Sequence, residues 1–171
     1  MDIQSEWLQI LYALVRIEPF EWGSIGTAIG CGALIGCERQ IRGKPVGIRT
    51  SALIVVGTYL FLASAFLLQG ETIDPTRIIG QVITGIGFLG AGVMLARHGE
   101  VIGVTSAATI WMLAALGVLI GLGYRLPAVK LSFLVVIILT GVELLEARLT
   151  MLTRGVHRKV DASSARSARI K

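Results

Sequence analysis

Apolar residues run almost unbroken through five stretches of the chain, roughly 22–37, 50–69, 78–96, 104–124 and 126–145. Polar residues collect in the segments between them. At about 1.5 Å rise per residue, each stretch is near the ~20 residues that a membrane-spanning helix needs, the first being short. None has the polar face that a helix of a soluble domain carries. The pattern predicts an all-α integral membrane protein, a bundle of five transmembrane helices. Before the first stretch, Ile3, Trp7, Ile10, Leu11, Leu14 and Ile17 fall near helical spacing, which predicts an amphipathic helix in the outer interface of the bilayer. The expected organisation is therefore an interfacial segment over 1–21, a five-helix domain over 22–145 and a short basic cytoplasmic tail over 146–171. The tail is too small to bury a core of its own.

Composition agrees, with 54% hydrophobic residues and a mean hydropathy of +0.76. Charge adds direction. Arg39, Arg42, Lys44 and Arg49 follow the first stretch, Arg97 follows the third, and seven basic residues from Arg148 onward fill the tail. Together they are twelve of the sixteen Lys and Arg, and all fall on one side of a five-span chain. Short loops rich in Lys and Arg stay in the cytoplasm, which predicts the N-terminus outside and the C-terminus inside. The net charge of +5 thus follows from topology and calls for no nucleic acid. A lipid bilayer is the implied partner, with anionic lipid available to the tail. The acidic N-terminus, without a small-residue cleavage site, does not read as a signal peptide.

Glycine is the next signal. Pairs at Gly26/Gly30, Gly32/Gly36 and Gly117/Gly121 have the small-xxx-small spacing that brings helices close in lipid. The third stretch holds Gly80, Gly85, Gly87, Gly90 and Gly92, positions suited to helix packing or to a hinge. Tight packing of the first, third and fourth helices is expected. The letters from Gly85 to Gly90 match a dinucleotide fingerprint, but that motif requires a preceding strand, and none is predicted.

Polar residues at the membrane edges are the candidates for function. Glu38 and Arg39 end the first span. A helix continuing to about Ile41 pairs Glu38 with Arg42, and Gly43 and Pro45 stop it. Asp74 before Pro75 reads as an N-cap. Arg77 and Gln81 follow on the same face, so that Asp74, Arg77 and Gln81 form a polar stripe entering the bilayer from outside. Thr105 or Ser106 is expected to cap the fourth helix. No Asp, Glu or His lies near the middle of any span, where ion-coupled carriers usually place one. Cys31 and Cys37 read as packing residues, and no Cys/His cluster has metal-ligand spacing. Nothing argues for an enzyme or a resident cofactor. Glu38 and Asp74 are the available carboxylates for a divalent ion, and they lie on opposite sides.

Three segments resemble the MgtC/SapB family of membrane proteins. They are Gly36 to Thr50 (first cytoplasmic loop), Asp74 to Gly92 (third span) and Gly103 to Trp111 (start of the fourth). The resemblance runs from about Ile25 to Leu145. It implies a multi-pass protein of the bacterial inner membrane tied to magnesium homeostasis and associated with growth at low magnesium and survival inside host cells. It maps Glu38, Arg39, Arg49, Asp74, Arg77, Gln81 and the glycines onto family positions. Longer members carry a further cytoplasmic domain where this chain has a short basic tail. Two mechanisms stay open. One is Mg²⁺ transport by a homo-oligomer through the glycine-rich core. The other is regulation by binding another membrane protein, the ATP synthase among the family's partners.

Overall fold

The computed structural model describes Trp7 and residues 16–67, 74–97 and 100–148. Over residues 16–148, the described part is all-helical apart from one small hairpin, with five helices, α1 (Trp22–Ile41), α2 (Ile48–Leu67), α3 (Pro75–Gly92), α4 (Val104–Gly121) and α5 (Arg125–Arg148). Among the described residues α2, α4 and the 125–145 part of α5 are long and apolar enough to cross a membrane. Helices α1 and α3, of 20 and 18 residues, dilute that character with glycine and with Glu38, Arg39, Arg77 and Gln81. Of the expected interfacial helix over 3–17, only Trp7 (helical, exposed) and Arg16 and Ile17 (not helical) are described; the rest of it, and the tail after 148, lie outside the described residues.

The chain divides into two compact units, Met1–Val135 and Val136–Lys171. In the described part of the second, α5 continues to Arg148, its Ile137, Ile138, Val142, Leu144 and Leu145 all exposed. The first unit is built around α2. Val55, Thr58 and Leu62 of α2 are buried, as are Ala28 and Ile35 of α1 and Leu113 and Leu116 of α4, the two helices that pack most closely on α2. Glycine decides how close these helices come. A Cβ on Gly32 or Gly36 of α1 would lie 2.6 Å from the Cα of Ala52 or Ile48 on α2. One on Gly117 of α4 would lie 2.6 Å from Val55 O and Thr58 Cβ, again on α2. Such close van der Waals contact stabilises helix pairs in lipid, where apolar burial supplies no drive. The expected trio of first, third and fourth helices is thus corrected, because α2, not α3, receives Gly32 and Gly36 of α1 and Gly117 and Gly121 of α4, while the Gly26/Gly30 pair meets nothing within 4 Å among the described residues.

Helix α3 is regular through all of its glycines, so Gly85–Gly92 is not a break. It ends at Gly92, before the expected 96, because Leu95–Arg97 pairs antiparallel with Glu100–Ile102 as β1 and β2. Gly103, at φ +96°, returns the chain into α4 where a Cβ would meet Val93 O at 2.4 Å. Gly103 rather than Thr105 or Ser106 is the N-cap, and no side chain caps it. At the other end of the unit, Arg125 Nη1 and Ser24 Oγ both reach Glu21 Oε2 at 3.2 Å, and the Glu21 N–H donates to Tyr59 Oη at 3.2 Å. The starts of α1 and α5 are tied there to the later half of α2.

Candidate functional site

Two polar ensembles emerge. The first forms where α1 ends. The helix continues to Ile41, and Gly43 at φ +63° stops it, as the sequence predicts. This puts Glu38 and Arg42 on one face, with Arg42 Nε 2.7 Å from Glu38 Oε1 and side-chain exposures of 23% and 7%. Arg39, which reads in the sequence as a membrane-edge anchor, is instead buried, and its Nη2 donates to Ser106 Oγ of α4 at 3.0 Å. Glu38 Oε1, Glu38 Oε2 and Arg39 Nε are buried without a hydrogen bond of good geometry among the described residues. One carboxylate with two neighbouring guanidiniums leaves this cluster net positive. The loop that follows is tight: Gln40 Oε1 accepts from the Ile48 N–H at 3.3 Å, and Ser51 Oγ donates to Val46 O at 3.1 Å. Val46, buried and β-branched, sits at φ +68°, a strained backbone for such a residue. Arg49 is exposed at the start of α2 and joins neither ensemble.

The second ensemble is a groove of about 960 Å³ between α2 and α3. Asp74, Arg77 and Gln81 all line it, so the stripe predicted from spacing exists and faces a cavity. Thr50, Leu53, Gly57, Thr58 and Phe61 of α2 form the opposite wall, and Gly85, Ile86 and Leu89 continue the α3 wall. Asp74 caps α3, Oδ1 accepting from the Thr76 N–H at 2.9 Å and the Thr76 O–H at 2.7 Å. Those bonds hold its carboxyl below the usual carboxylate range. A lowered folded pKa means that the charged cap is fully present at and above the ordinary Asp value and is lost only as pH falls through the lower one. Behind α3 lies a second, apolar cavity of about 330 Å³ against α4, including Ile83 and Trp111.

The α3 glycines are mostly open. A Cβ on Gly80, Gly85, Gly87 or Gly92 meets nothing within 4 Å, and only Gly90 touches a neighbour, Ala107 of α4 at 3.7 Å. No group of three or more His, Cys, Asp or Glu that could hold a metal ion occurs among the described residues. Glu38 pairs with Arg42, and Asp74 accepts from Thr76 through Oδ1, so the two carboxylates named for a divalent ion lie in separate ensembles. The Arg39–Ser106 bond is the contact that the sequence conceals, since its partners are 67 residues apart.

The MgtC family model matches residues 25–148. The chain is 48% identical over 104 residues to an Escherichia coli K12 protein named "Putative magnesium transporter YhiD", a match covering 57% of this chain and 48% of that one. It is 46% identical over 92 residues to Protein MgtC of Brucella abortus (54% and 38% covered) and 45% identical over 97 residues to Protein MgtC of Salmonella typhimurium (57% and 41%). The match thus spans less than half the length of these curated relatives. No solved structure matches the chain.

Proposed function

Since the chain belongs to the MgtC family, we propose that it acts in magnesium homeostasis as a multi-pass protein of the bacterial inner membrane that works by lateral engagement of another membrane helix. The observation that carries this reading is the open glycine surface of α3. Gly32 and Gly36 of α1 and Gly117 and Gly121 of α4 are filled by α2, whereas Gly80, Gly85, Gly87 and Gly92 of α3, like Gly26 and Gly30 of α1, meet nothing within 4 Å among the described residues. Mid-helix glycine costs about 1 kcal/mol against alanine, and close approach of a second helix is what offsets that cost in lipid. The occupant is another membrane protein or a second copy of this chain. Five spans with the basic loops and tail in the cytoplasm fit the charge pattern. The relatives' names, a magnesium transporter among them, supply the physiological setting.

Conduction of Mg²⁺ is the second reading, favoured by the stripe of Asp74, Arg77 and Gln81 along the groove. Against it, the groove is walled largely by apolar side chains, and Arg77 near its polar end repels a divalent cation. A path assembled from several copies keeps this reading alive. Engagement is tested by Gly80→Leu and Gly87→Leu. Both side chains have room, so the protein should fold with unchanged thermal stability, yet support of growth at low magnesium should be lost. Retained growth support with full-length, folded protein would refute engagement through this face.

A further inference from the structure

The groove between α2 and α3 is lined for an amphiphile, and we infer that it binds a phospholipid with an amine headgroup, phosphate on Arg77, ammonium on Asp74 and one acyl chain along the apolar wall. The inference rests on the membrane reading above but not on the magnesium role.

The headgroup assignment comes from two charges that do not cancel each other. Arg77 is exposed and has no ion pair or side-chain hydrogen bond among the described residues. Asp74, one helical turn earlier, spends Oδ1 on Thr76 and makes no ion pair with Arg77. A guanidinium at the first turn of a helix, where the backbone also favours negative charge, is matched to a phosphate. The adjacent Asp74 carboxylate, charged and with Oδ2 outside its bonds to Thr76, is matched to an ammonium. A purely anionic headgroup would be repelled by Asp74, and a metal cation by Arg77. A headgroup carrying phosphate and primary amine satisfies both.

The tail assignment comes from the wall. Beyond Gln81 the α3 side turns apolar at Val82, Ile86 and Leu89, facing Leu53 and Phe61 of α2. Leu53, Phe61 and Leu89 are 72%, 67% and 49% exposed, so the groove opens sideways to whatever surrounds the helices. From Arg77 to Leu89 the wall is about 18 Å long at ~1.5 Å per residue. One leaflet of a ~30 Å hydrocarbon core is about 15 Å deep. A wall of about leaflet depth, polar at one end and apolar beyond Gln81, describes a lipid better than a spanning helix, which would need the full thickness. Gly57 and Gly85, facing the cavity without side chains, leave the width for the chain.

The test uses the full chain, reconstituted in vesicles with equal phosphatidylethanolamine, phosphatidylglycerol and phosphatidylcholine, then extracted and weighed by native mass spectrometry. The expected result is one retained phospholipid per chain, enriched in ethanolamine. Arg77→Gln should lower its occupancy about tenfold, the loss of one charge-assisted contact. Gly85→Leu should do the same by filling the groove without a clash. Asp74→Asn keeps a good N-cap and should retain lipid while losing the ethanolamine preference. Equal melting curves by circular dichroism confirm the folds. Unchanged lipid in Arg77→Gln and Gly85→Leu would mean an unspecific lipid annulus and overturn the inference. So would equal retention of the three headgroups by the wild type, or a protein chain in place of lipid. Because the readout is lipid, retained growth support in Gly80→Leu and Gly87→Leu would count against the proposed function alone, and loss of specific lipid retention against this inference alone.

Discussion

Glu38 sits 2.7 Å from Arg42 and beside Arg39, whose guanidinium crosses to Ser106 on α4. Three charges and a hydroxyl thereby join the end of α1 to the start of α4. A buried ion pair gains its worth from the cost of leaving one partner behind. Glu38→Gln removes the only carboxylate from between two arginines. It should destabilise the folded protein by about 2–3 kcal/mol, less than the ~3–5 of a fully buried pair because Arg42 is 23% exposed. Thermal unfolding in detergent measures it. The Glu38→Gln/Arg42→Gln double variant should lose less than the two singles together. A Glu38→Gln protein as stable as wild type would reduce the cluster to a solvated anchor. The Glu38–Arg42 half of the cluster is legible in the sequence, because i,i+4 spacing and the Gly43 stop are local facts. The Arg39–Ser106 half is not, because it depends on which helices meet.

Helices carry a second division of labour, written in their glycines. Gly32, Gly36 and Gly117 face α2 backbone at distances that admit no Cβ. Gly36→Ala and Gly117→Ala should each cost about 1–3 kcal/mol through forced separation of the helices. Gly87→Ala, with open space around it, should be neutral or slightly stabilising. Melting temperatures of the three variants in one detergent decide this, and equal effects at all three positions would contradict the packing described. The spacing of glycines was sufficient to predict close packing but not its partner. Small-xxx-small pairs mark a face, whereas the neighbour on that face is set by topology. The same limit hid the β1–β2 hairpin, where Leu95 and Ala96 extend an apolar run that looks helical until strand pairing ends it at Gly92. The Asp74–Arg77–Gln81 stripe was readable because a cap and a helical turn are local, and the groove that receives it was not.

At the scale of the molecule, an α1–α2–α4 core holds a glycine-rich α3 with a groove on one side and open small residues along it. No cluster of metal-ligating side chains appears among the described residues, and the groove's free cation opposes Mg²⁺. Family membership brings magnesium into the account, and engagement of another membrane helix is the proposed mode of action. The most direct measurement is Mg²⁺ entry into proteoliposomes that hold the purified protein and an internal magnesium-sensitive dye. The account predicts no entry above that of empty liposomes from protein verified as folded. Wild-type flux that disappears in Arg77→Ala and Glu38→Ala, with both variants folded, would contradict it and make the groove part of a conducting path.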